Sequence, residues 1–351
     1  MAGKSDISKV FVTGADGMLG SNIARELIQQ GYQPHCLVYP GRSTGTLDGL
    51  PLTSVSGNLL DLSTIESALV DCDAVIHVAA STAVWPGRNP LVKKINLEGT
   101  RSLMAAAKKA NIQRFVHIGS ANSFAEGTAS QPGDENGTYN NWKYRNDYMD
   151  SKYLAQQMLL EEYRSTGFPV VILNPTFMIG PYDSGPSSGR LILSAVQGKV
   201  PGYSKGVKNY VHAGDVAVAI VNALKMGQLG QCYITGNENM DYETFFRKVC
   251  QVAHVPFRMR YLPYPLVLLG GLLGSLWGRI SRVPPKLSVG IARMSGMEQY
   301  YSSARAVREL NMPQTPVKKA IRDCLDWFEG QQYWSPPKSS VKSGIKNSEI
   351  S

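Results

Sequence analysis

Residues Val10–Gly20 read VFVTGADGMLG, and this stretch decides the fold class of the 351-residue chain. Its first residues are apolar and predict a β-strand, while Ser21–Gln30 carries apolar residues at helical spacing and predicts a helix. Between the two, Gly14, Gly17 and Gly20 follow a G-x-x-G-x-x-G spacing. Such a turn lets the backbone approach a pyrophosphate at the helix N-terminus, where free N–H groups and the helix dipole favour negative charge. We therefore predict a dinucleotide-binding site here.

Strand and helix patterns alternate from this stretch onward as far as Pro175. Further strands are predicted at His35–Tyr39, Thr53–Gly57, Ala74–Ala79, Arg114–Gly119 and Val170–Leu173. Further helices are predicted at Ser63–Leu69, Leu91–Asn111 and Asp147–Thr166. Regular alternation of this kind is typical of a parallel sheet covered by helices on both faces. The predicted class is α/β, with a Rossmann-type doubly wound parallel sheet.

The rhythm breaks after Pro175, which predicts a smaller C-terminal lobe that binds the substrate. We expect a dinucleotide-binding domain at residues 7–180, to which residues 208–236 return. Residues 181–207 and 237–333 would form the lobe. The Ser/Lys/Pro-rich stretch 334–351 shows no periodicity and predicts a flexible tail.

The composition excludes several classes of protein. Hydrophobic residues make up 43% and charged residues 18%, as in an ordinary globular protein with a buried core. The net charge of +9 is scattered, which indicates a solvated basic surface rather than a nucleic-acid partner. Five widely spaced cysteines without a C-x-x-C pair, and histidines without ligand spacing, give no sign of a disulfide framework or a metal site. The polar start Met1–Lys9 lacks a signal-peptide core, so we expect a cytoplasmic protein with reduced thiols.

The end of the second predicted strand bears on the choice of cofactor. NAD-binding sites usually place an acid there, on the ribose 2′-hydroxyl. Here the strand ends in Tyr39 and Arg42 follows, with no acid between them. Arg42 could pair with a 2′-phosphate, which favours NADP(H), with NAD still possible. The alternative is that Arg42 is an ordinary exposed loop residue.

Asp61 follows the third predicted strand. Its carboxylate could accept a hydrogen bond from the adenine amino group. The spacing fits equally well an N-cap of the helix that is predicted to start near Ser63.

Tyr148 and Lys152 are the catalytic candidates. Residues four apart lie on one face of a helix, and a lysine ammonium there favours the phenolate and lowers the tyrosine pKa. The phenol would then serve as an acid or base near neutral pH. Ser120 follows a predicted strand at the edge where ligands bind in such sheets, so its hydroxyl could hold a substrate oxygen. Ser123 is the close competitor.

With these motifs, the sequence resembles the extended short-chain dehydrogenases/reductases over about Lys9–Tyr333. Within that superfamily it looks most like the dihydroflavonol-4-reductase-like branch of the NAD-dependent epimerase/dehydratases, near 3β-hydroxysteroid dehydrogenases and sugar epimerases. The matching segments are Thr13–Gly20, Val75–Ala80, Asn96–Thr100, Phe115–Ser120, Tyr148–Lys152, Leu154–Ala155, Asn174–Thr176, Gly180–Pro181, Val211–Val216, Tyr301–Leu310 and Trp327.

The resemblance implies a cofactor site residue by residue. The glycine loop would hold the pyrophosphate through Thr13, Gly14, Gly17, Met18, Leu19 and Gly20. Asp61 and Leu62 would bracket the adenine, and Ala79 and Ala80 would line the cofactor cleft. Lys152 would bond the nicotinamide ribose, and Pro175 and Thr176 would lie near the carboxamide. Two positions depart from the family. Tyr39 replaces the usual strand-end arginine, so the NADP prediction depends on Arg42, and Gly119 precedes Ser120 where Ser or Thr is commoner.

The predicted activity is NADP(H)-dependent interconversion of a carbonyl and a secondary alcohol on a fairly apolar small molecule. The alternatives are a nucleotide-sugar epimerase, a 3β-hydroxysteroid dehydrogenase-like alcohol oxidation, and an inactive NADP-sensing regulator. Ala121-Asn122 stands where related dehydratases would have an Asp-Glu pair.

A second copy of the chain is an expected partner, and a membrane surface is a possible one. The family commonly forms homodimers through two long helices of each subunit, here Leu91–Asn111 and Asp147–Thr166. The apolar run Leu266–Trp277 is too short to span a bilayer. It could pack in the core or line an apolar pocket. It could instead make a weak membrane-surface contact over Leu266–Arg282, with Arg279 and Arg282 at the headgroups.

Overall fold

A computed structural model of the chain describes residues 6–337. Its main sheet has seven parallel strands in the order β3-β2-β1-β4-β5-β6-β10. These strands are β1 (Lys9–Thr13), β2 (Gln33–Val38), β3 (Thr53–Ser56), β4 (Ala74–His77), β5 (Arg114–Ile118), β6 (Val170–Pro175) and β10 (Cys232–Thr235). Strand order reverses between β1 and β4, where open α/β sheets bind ligands. The predicted Rossmann-type class is confirmed.

Helices cover both faces of the main sheet. Ile23, Leu27 and Ile220 pack on one face, and Ile65, Leu103 and Leu159 on the other; all six are fully buried. The helices are α1 (Met18–Gln29), α2 (Leu62–Ala68), α3 (Pro90–Lys93), α4 (Gly99–Lys109), α5 (Asp147–Thr166), α6 (Gly189–Val196), α7 (Ala213–Met226), α8 (Tyr242–Val252), α9 (Tyr264–Ser281), α10 (Val289–Met294), α11 (Ala304–Leu310) and α12 (Val317–Gly330).

A separate core lies beyond the main sheet. Tyr210 stacks on Phe245 with ring centroids 4.2 Å apart, and Phe328 is buried in the same cluster. Helices α6, α8 and α12 supply most of its side chains. Two small sheets belong to this half of the chain, formed by β7 (Phe177–Ile179), β9 (Val207–His212) and β11 (Glu238–Asp241), and by β8 (Gly202–Tyr203) and β12 (Arg260–Tyr261). The exact domain limits stay a prediction, and the predicted tail lies outside the described residues from position 338 onward.

Two elements differ from the sequence prediction. The single helix expected over Leu91–Asn111 is divided into α3, a π-helical turn at Lys94–Glu98, and α4. The strand expected over Ala74–Ala79 ends at His77, because the next two N–H groups turn to a side chain rather than to a neighbouring strand.

Within residues 6–337, no helix combines the length and the apolar character that crossing a membrane requires.

Candidate active site

The glycine loop forms a tight cradle at the start of α1. Gly14 has a φ of +68°, and a Cβ there would lie 2.9 Å from the Ala79 Cα. A Cβ on Gly20 would lie 2.1 Å from the Gly14 carbonyl oxygen, so neither position accepts a side chain. Gly17 is the N-cap of α1 and has no side chain to cap the first-turn N–H groups, including those of Met18 and Leu19. These exposed donors and the helix dipole fit a pyrophosphate.

Thr13 connects the two loops that border this cradle. Its hydroxyl oxygen accepts hydrogen bonds from Val78 N at 3.2 Å and Ala79 N at 3.1 Å. It also lies 2.9 Å from His77 Nδ1, and the other ring nitrogen of His77 lies 2.9 Å from the Thr100 hydroxyl. Burial lowers the pKa of His77 to about 3, so the ring is neutral. The fully buried Thr13 side chain therefore positions the loops, and its place in the cofactor site stays a prediction.

Arg42, which follows β2, lies close to an acid of the glycine loop. Arg42 is largely exposed, and its guanidinium lies 3.6 Å from the buried Asp16 carboxylate in the glycine loop. Asp16 comes 26 positions earlier in the chain, so the local sequence around Tyr39 gave no sign of it. Arg42 thus places a positive charge at the rim of the cradle, and the Asp16 carboxylate compensates part of that charge.

Asp61 is the N-cap of α2. Its carboxylate accepts hydrogen bonds from Thr64 N at 3.3 Å, the Thr64 hydroxyl at 2.7 Å and the Ser63 hydroxyl at 2.8 Å. These bonds lower the pKa of Asp61. The N-cap interpretation is therefore the one that the geometry supports. Adenine contacts of Asp61 and of the exposed Leu62 stay predictions.

The remaining predicted cofactor residues line the ends of β4 and β6. Ala79 and Ala80 are half-buried and lie in the loop after β4. Pro175 ends β6, and the Thr176 hydroxyl donates to Asn209 Oδ1 at 2.8 Å. All four stand at the carboxyl edge of the sheet, beside the cradle.

Tyr148 and Ser120 meet at this same edge. Ser120 follows β5, and Tyr148 is the second residue of α5, which begins there because the Asn146 side chain caps Tyr148 N at 3.0 Å. The Ser120 hydroxyl is close enough to the Tyr148 phenol to influence its pKa. Burial raises the pKa of Tyr148, and Ser120 lowers it in part.

Lys152 lies one turn further along α5. Its ammonium donates to the Ile118 carbonyl at 2.7 Å, and burial lowers its pKa to about 8. The sequence reading expected Lys152 to lower the pKa of Tyr148, and here the pKa of Tyr148 is raised. The physical reason is that desolvation of the phenol is the largest influence on that pKa. One of three ammonium donors is used by Ile118, which leaves two for a ligand.

Ser123 lies in a different environment from Ser120. It is fully buried beside a cavity of about 410 Å³ that also borders Glu135 and Gln156. Within residues 6–337, its hydroxyl has no hydrogen-bond partner. Because Ser120 and not Ser123 influences the pKa of Tyr148, Ser120 stays the preferred candidate of the two serines.

Asn96 is a site-positioning residue that we did not select from the sequence. It lies in the π-helical turn and fixes the loop after β4 through bonds to Ser81 N at 2.7 Å and Ser81 O at 3.0 Å. It also donates to the Ser151 hydroxyl of α5 at 3.0 Å. The segment Asn96–Thr100 carried the signal, since it matched the family, and π-turns are frequent at functional sites.

A second missed group is a polar chain that leads from Ser120 into the C-terminal half. Asn122 N donates to the Ser120 hydroxyl at 3.3 Å, and Gln299 donates to the Asn122 side chain at 2.7 Å. Lys208 on β9 donates to Gln299 at 2.8 Å. Burial lowers the pKa of Lys208 to about 8, and no carboxylate among the described residues pairs with it. These residues lie up to 179 positions apart, and no local motif joins them.

Among the described residues, no group of three or more His, Cys, Asp or Glu side chains could hold a metal ion. The five cysteines are buried and free.

Comparison with known proteins agrees with this geometry. The sequence profile of the NAD dependent epimerase/dehydratase family matches residues 10–236. A protein of Synechocystis sp. named "Putative dihydroflavonol 4-reductase" is 31% identical over 329 residues, covering 92% of this chain and 95% of its own. "Sterol demethylase protein B" of Methylococcus capsulatus is 28% identical, covering 91% and 97%.

The solved crystal structure of gox2253 has a TM-score of 0.82 and 30% identity, and covers 93% of this chain and 100% of its own. The predicted superfamily is thereby confirmed, and with it an NAD(P)-dependent enzyme that acts on CH–OH or C=O groups. The chain belongs to the NAD-dependent epimerase/dehydratase family of extended short-chain dehydrogenases/reductases.

Proposed function

We propose that the chain is an NADP(H)-dependent oxidoreductase that interconverts a ketone or aldehyde with an alcohol on a fairly apolar substrate. The observation that carries the proposal is that Tyr148, Ser120 and the Lys152 ammonium, which is anchored on the Ile118 carbonyl, stand together at the carboxyl end of β5 and the first turns of α5. An acid, a hydroxyl donor and a cation converge there at the ligand-binding edge of the sheet.

In the reducing direction, Tyr148 gives its phenolic proton to the carbonyl oxygen. Ser120 donates a hydrogen bond to the same oxygen as negative charge develops on it. Lys152, anchored on Ile118, holds the nicotinamide ribose with its two remaining donors. Bound NADPH supplies the hydride. In the oxidising direction, Tyr148 takes the proton back.

Tyr148→Phe removes only the hydroxyl and tests this assignment. We expect kcat to fall by roughly 10²–10⁴-fold, the usual worth of a positioned acid, with cofactor binding retained. Tyr153→Phe is the matched control, since Tyr153 lies on the same helix and stacks on Tyr139 at 4.3 Å. A Tyr148→Phe enzyme as active as the control would refute the mechanism.

The preference for NADP(H) depends on Arg42 at the end of β2. Its largely exposed guanidinium is able to leave Asp16 and meet a 2′-phosphate. We expect Arg42→Ala to weaken NADPH binding at least about tenfold, the order of one charge-assisted hydrogen bond, and to leave NADH binding and the melting temperature unchanged. Fluorescence titration with both cofactors measures this. Equal loss for NADPH and NADH would contradict it.

The substrate class is supported by the names of the two curated relatives. Dihydroflavonol and sterol are both ring compounds with large apolar surfaces. Screening ketones and alcohols of increasing apolar surface is the corresponding assay, and the reverse reaction with alcohols covers the 3β-hydroxysteroid dehydrogenase-like alternative.

A nucleotide-sugar epimerase is the second candidate, and Lys208 is the observation that favours it. A partly buried cation without a carboxylate partner in the described part of the chain would suit a diphosphate. An epimerase oxidises and re-reduces the same carbon, so it retains its cofactor. Cofactor that stays bound through purification, with turnover of nucleotide sugars, would favour the epimerase; freely exchanging NADP favours the reductase.

We also propose a cytoplasmic homodimer that packs through α4 and α5. Light scattering at micromolar concentration tests the assembly, and a monomer would contradict it. Cell fractionation tests the location.

A further inference from the structure

Helix α9 buries small residues and exposes its large apolar side chains, which is the reverse of an ordinary amphipathic helix. Val267, Gly271, Ser275 and Gly278 are its buried residues. Seven large apolar side chains lie on the opposite face, and each is about half or more exposed. They are Leu266, Leu269, Leu272, Leu273, Leu276, Trp277 and Ile280, and we call them the apolar face of α9.

The inward side of α9 is fully occupied, so the helix cannot rotate to bury this face. A Cβ on Gly274 would lie 2.1 Å from the Leu287 carbonyl oxygen, and one on Gly271 would lie 2.7 Å from the Ala292 Cβ. The Ser275 hydroxyl accepts a hydrogen bond from Val289 N at 2.8 Å. Small residues thus seat α9 closely on α10 and the segment before it. An exposed apolar patch of this kind marks an interaction site.

The charged residues of the segment that carries the apolar face, residues 244–297, are all of one sign. No Asp or Glu occurs between Glu243 and Glu298, whereas eight Lys and Arg residues do. Two of the eight form ion pairs, Arg247 with Glu243 and Lys248 with Glu238. The other six are exposed, and in the described part of the chain none forms an ion pair: Arg258, Arg260, Arg279, Arg282, Lys286 and Arg293.

We propose that the apolar face of α9 docks on the surface of an anionic phospholipid bilayer. The helix would lie in the plane of the membrane, with its leucines and Trp277 at the acyl boundary and the basic residues at the phosphate groups. At 18 residues it is about 27 Å long, and its buried face is already packed against protein, so it lies on the bilayer without crossing it. A second copy of the chain is a poorer occupant, because two such faces would bring like charges together.

The docked helix borders the catalytic machinery. A Cβ on Gly278 would lie 3.1 Å from the Trp85 ring, within the loop that follows β4. The neighbouring Val84 carbonyl accepts a hydrogen bond from Asn146 at 3.3 Å, and Asn146 caps the helix that carries Tyr148. The membrane-facing surface and the active site are therefore joined through one loop.

Vesicle flotation tests the proposal. The probes are vesicles of 30% phosphatidylglycerol in phosphatidylcholine and vesicles of phosphatidylcholine alone. We expect the full chain to float with the first and much less with the second. The triple variant Leu273→Gln, Trp277→Gln, Ile280→Gln should bind at least about 100-fold more weakly, since each such side chain moved out of water contributes roughly a factor of ten or more.

Two further variants separate the contributions. Arg279→Gln with Arg282→Gln should weaken binding by about tenfold or more and reduce its salt dependence, at roughly a factor of five for each charge. Val70→Gln is the matched control, because Val70 is 60% exposed and Leu273 is 58% exposed. All substituted side chains are exposed, and far-UV circular dichroism verifies that each variant is folded.

Three outcomes would overturn the proposal. The first is failure of the wild type to float with phosphatidylglycerol vesicles, and the second is a triple variant that floats as the wild type does. The third is a lipid-free oligomer that becomes smaller in the triple variant, since that would assign the face to a second copy. Oligomers formed through α4 and α5 would be unaffected by the triple substitution.

Discussion

Gly17→Ala tests whether the glycine loop binds a pyrophosphate through backbone donors. Gly17 has a φ of −84°, and a Cβ there would meet only the Gly14 carbonyl oxygen, at the ordinary contact distance of 3.5 Å. The fold should therefore accept alanine, at a cost of about 1 kcal/mol for an N-cap change. The new methyl would, however, hold an anion away from the first-turn N–H groups of α1. Losing one or two charge-assisted hydrogen bonds of ~1.5–3 kcal/mol each predicts a dissociation constant for the dinucleotide raised by about 10- to 10⁴-fold.

Two other glycines provide the comparison. Gly20→Ala would place a Cβ 2.1 Å from a backbone oxygen, so it should lose about 3 kcal/mol or more of folding free energy along with binding. Gly185→Ala meets nothing within 4 Å at an exposed position and should change neither. Calorimetric titration with NADPH and thermal melts of the three variants measure both quantities. Unchanged affinity in a folded Gly17→Ala protein would refute the reasoning.

Three further predictions concern buried polar groups. Between about pH 8 and pH 10.5 the unfolded chain binds a proton at Lys152 that the native state lacks. The unfolding free energy of the wild type should therefore rise with pH relative to that of Lys152→Met, by up to ~1.4 kcal/mol per pH unit. Urea melts over that range measure the difference, and parallel curves for the two proteins would contradict the prediction. Lys208→Met should raise the substrate KM severalfold and leave the NADPH dissociation constant unchanged, because Lys208 lies at the far end of the chain of hydrogen bonds that leads to Ser120. Steady-state kinetics and cofactor titration measure the two quantities, and an unchanged KM would contradict a role in substrate binding. Thr13→Val keeps the shape but deprives two buried N–H groups of their acceptor, which should cost ~1–3 kcal/mol of stability; a melting temperature equal to that of the wild type would disprove the structural role.

Much of the fold was predictable because its determinants are local. Each buried strand of the main sheet is a short apolar run, and each covering helix has apolar residues at helical spacing. The end of β4 was placed two residues too late because the next two N–H groups, of Val78 and Ala79, bind Thr13, 65 and 66 positions earlier. The helix expected over Leu91–Asn111 is interrupted because Asn96 bonds the loop after β4, which periodicity does not report.

The candidate site divides in the same way. Tyr148 and Lys152 are four residues apart and therefore visible in sequence, as are the three glycines. Lys208 and Gln299 meet Asn122 only through the tertiary fold, and Asp16 meets Arg42 across the loop that precedes α1. The exposure of the α9 leucines could not be predicted either, since an apolar run has the same sequence pattern in a buried helix and in a surface helix. The small residues at Gly271, Ser275 and Gly278 were the signal that could have settled it.

The contact of Gly14 with Ala79 and the bonds of Thr13 have a consequence for the kinetics of cofactor exchange. Because the two loops that flank the cradle are fastened to each other and to β4, they form one rigid surface whose order is established when the chain folds. Binding then requires little further loss of conformational entropy, which is the advantage of preorganisation. Cofactor association should accordingly be a single fast phase whose rate depends linearly on concentration, with dissociation setting the differences in affinity among cofactors.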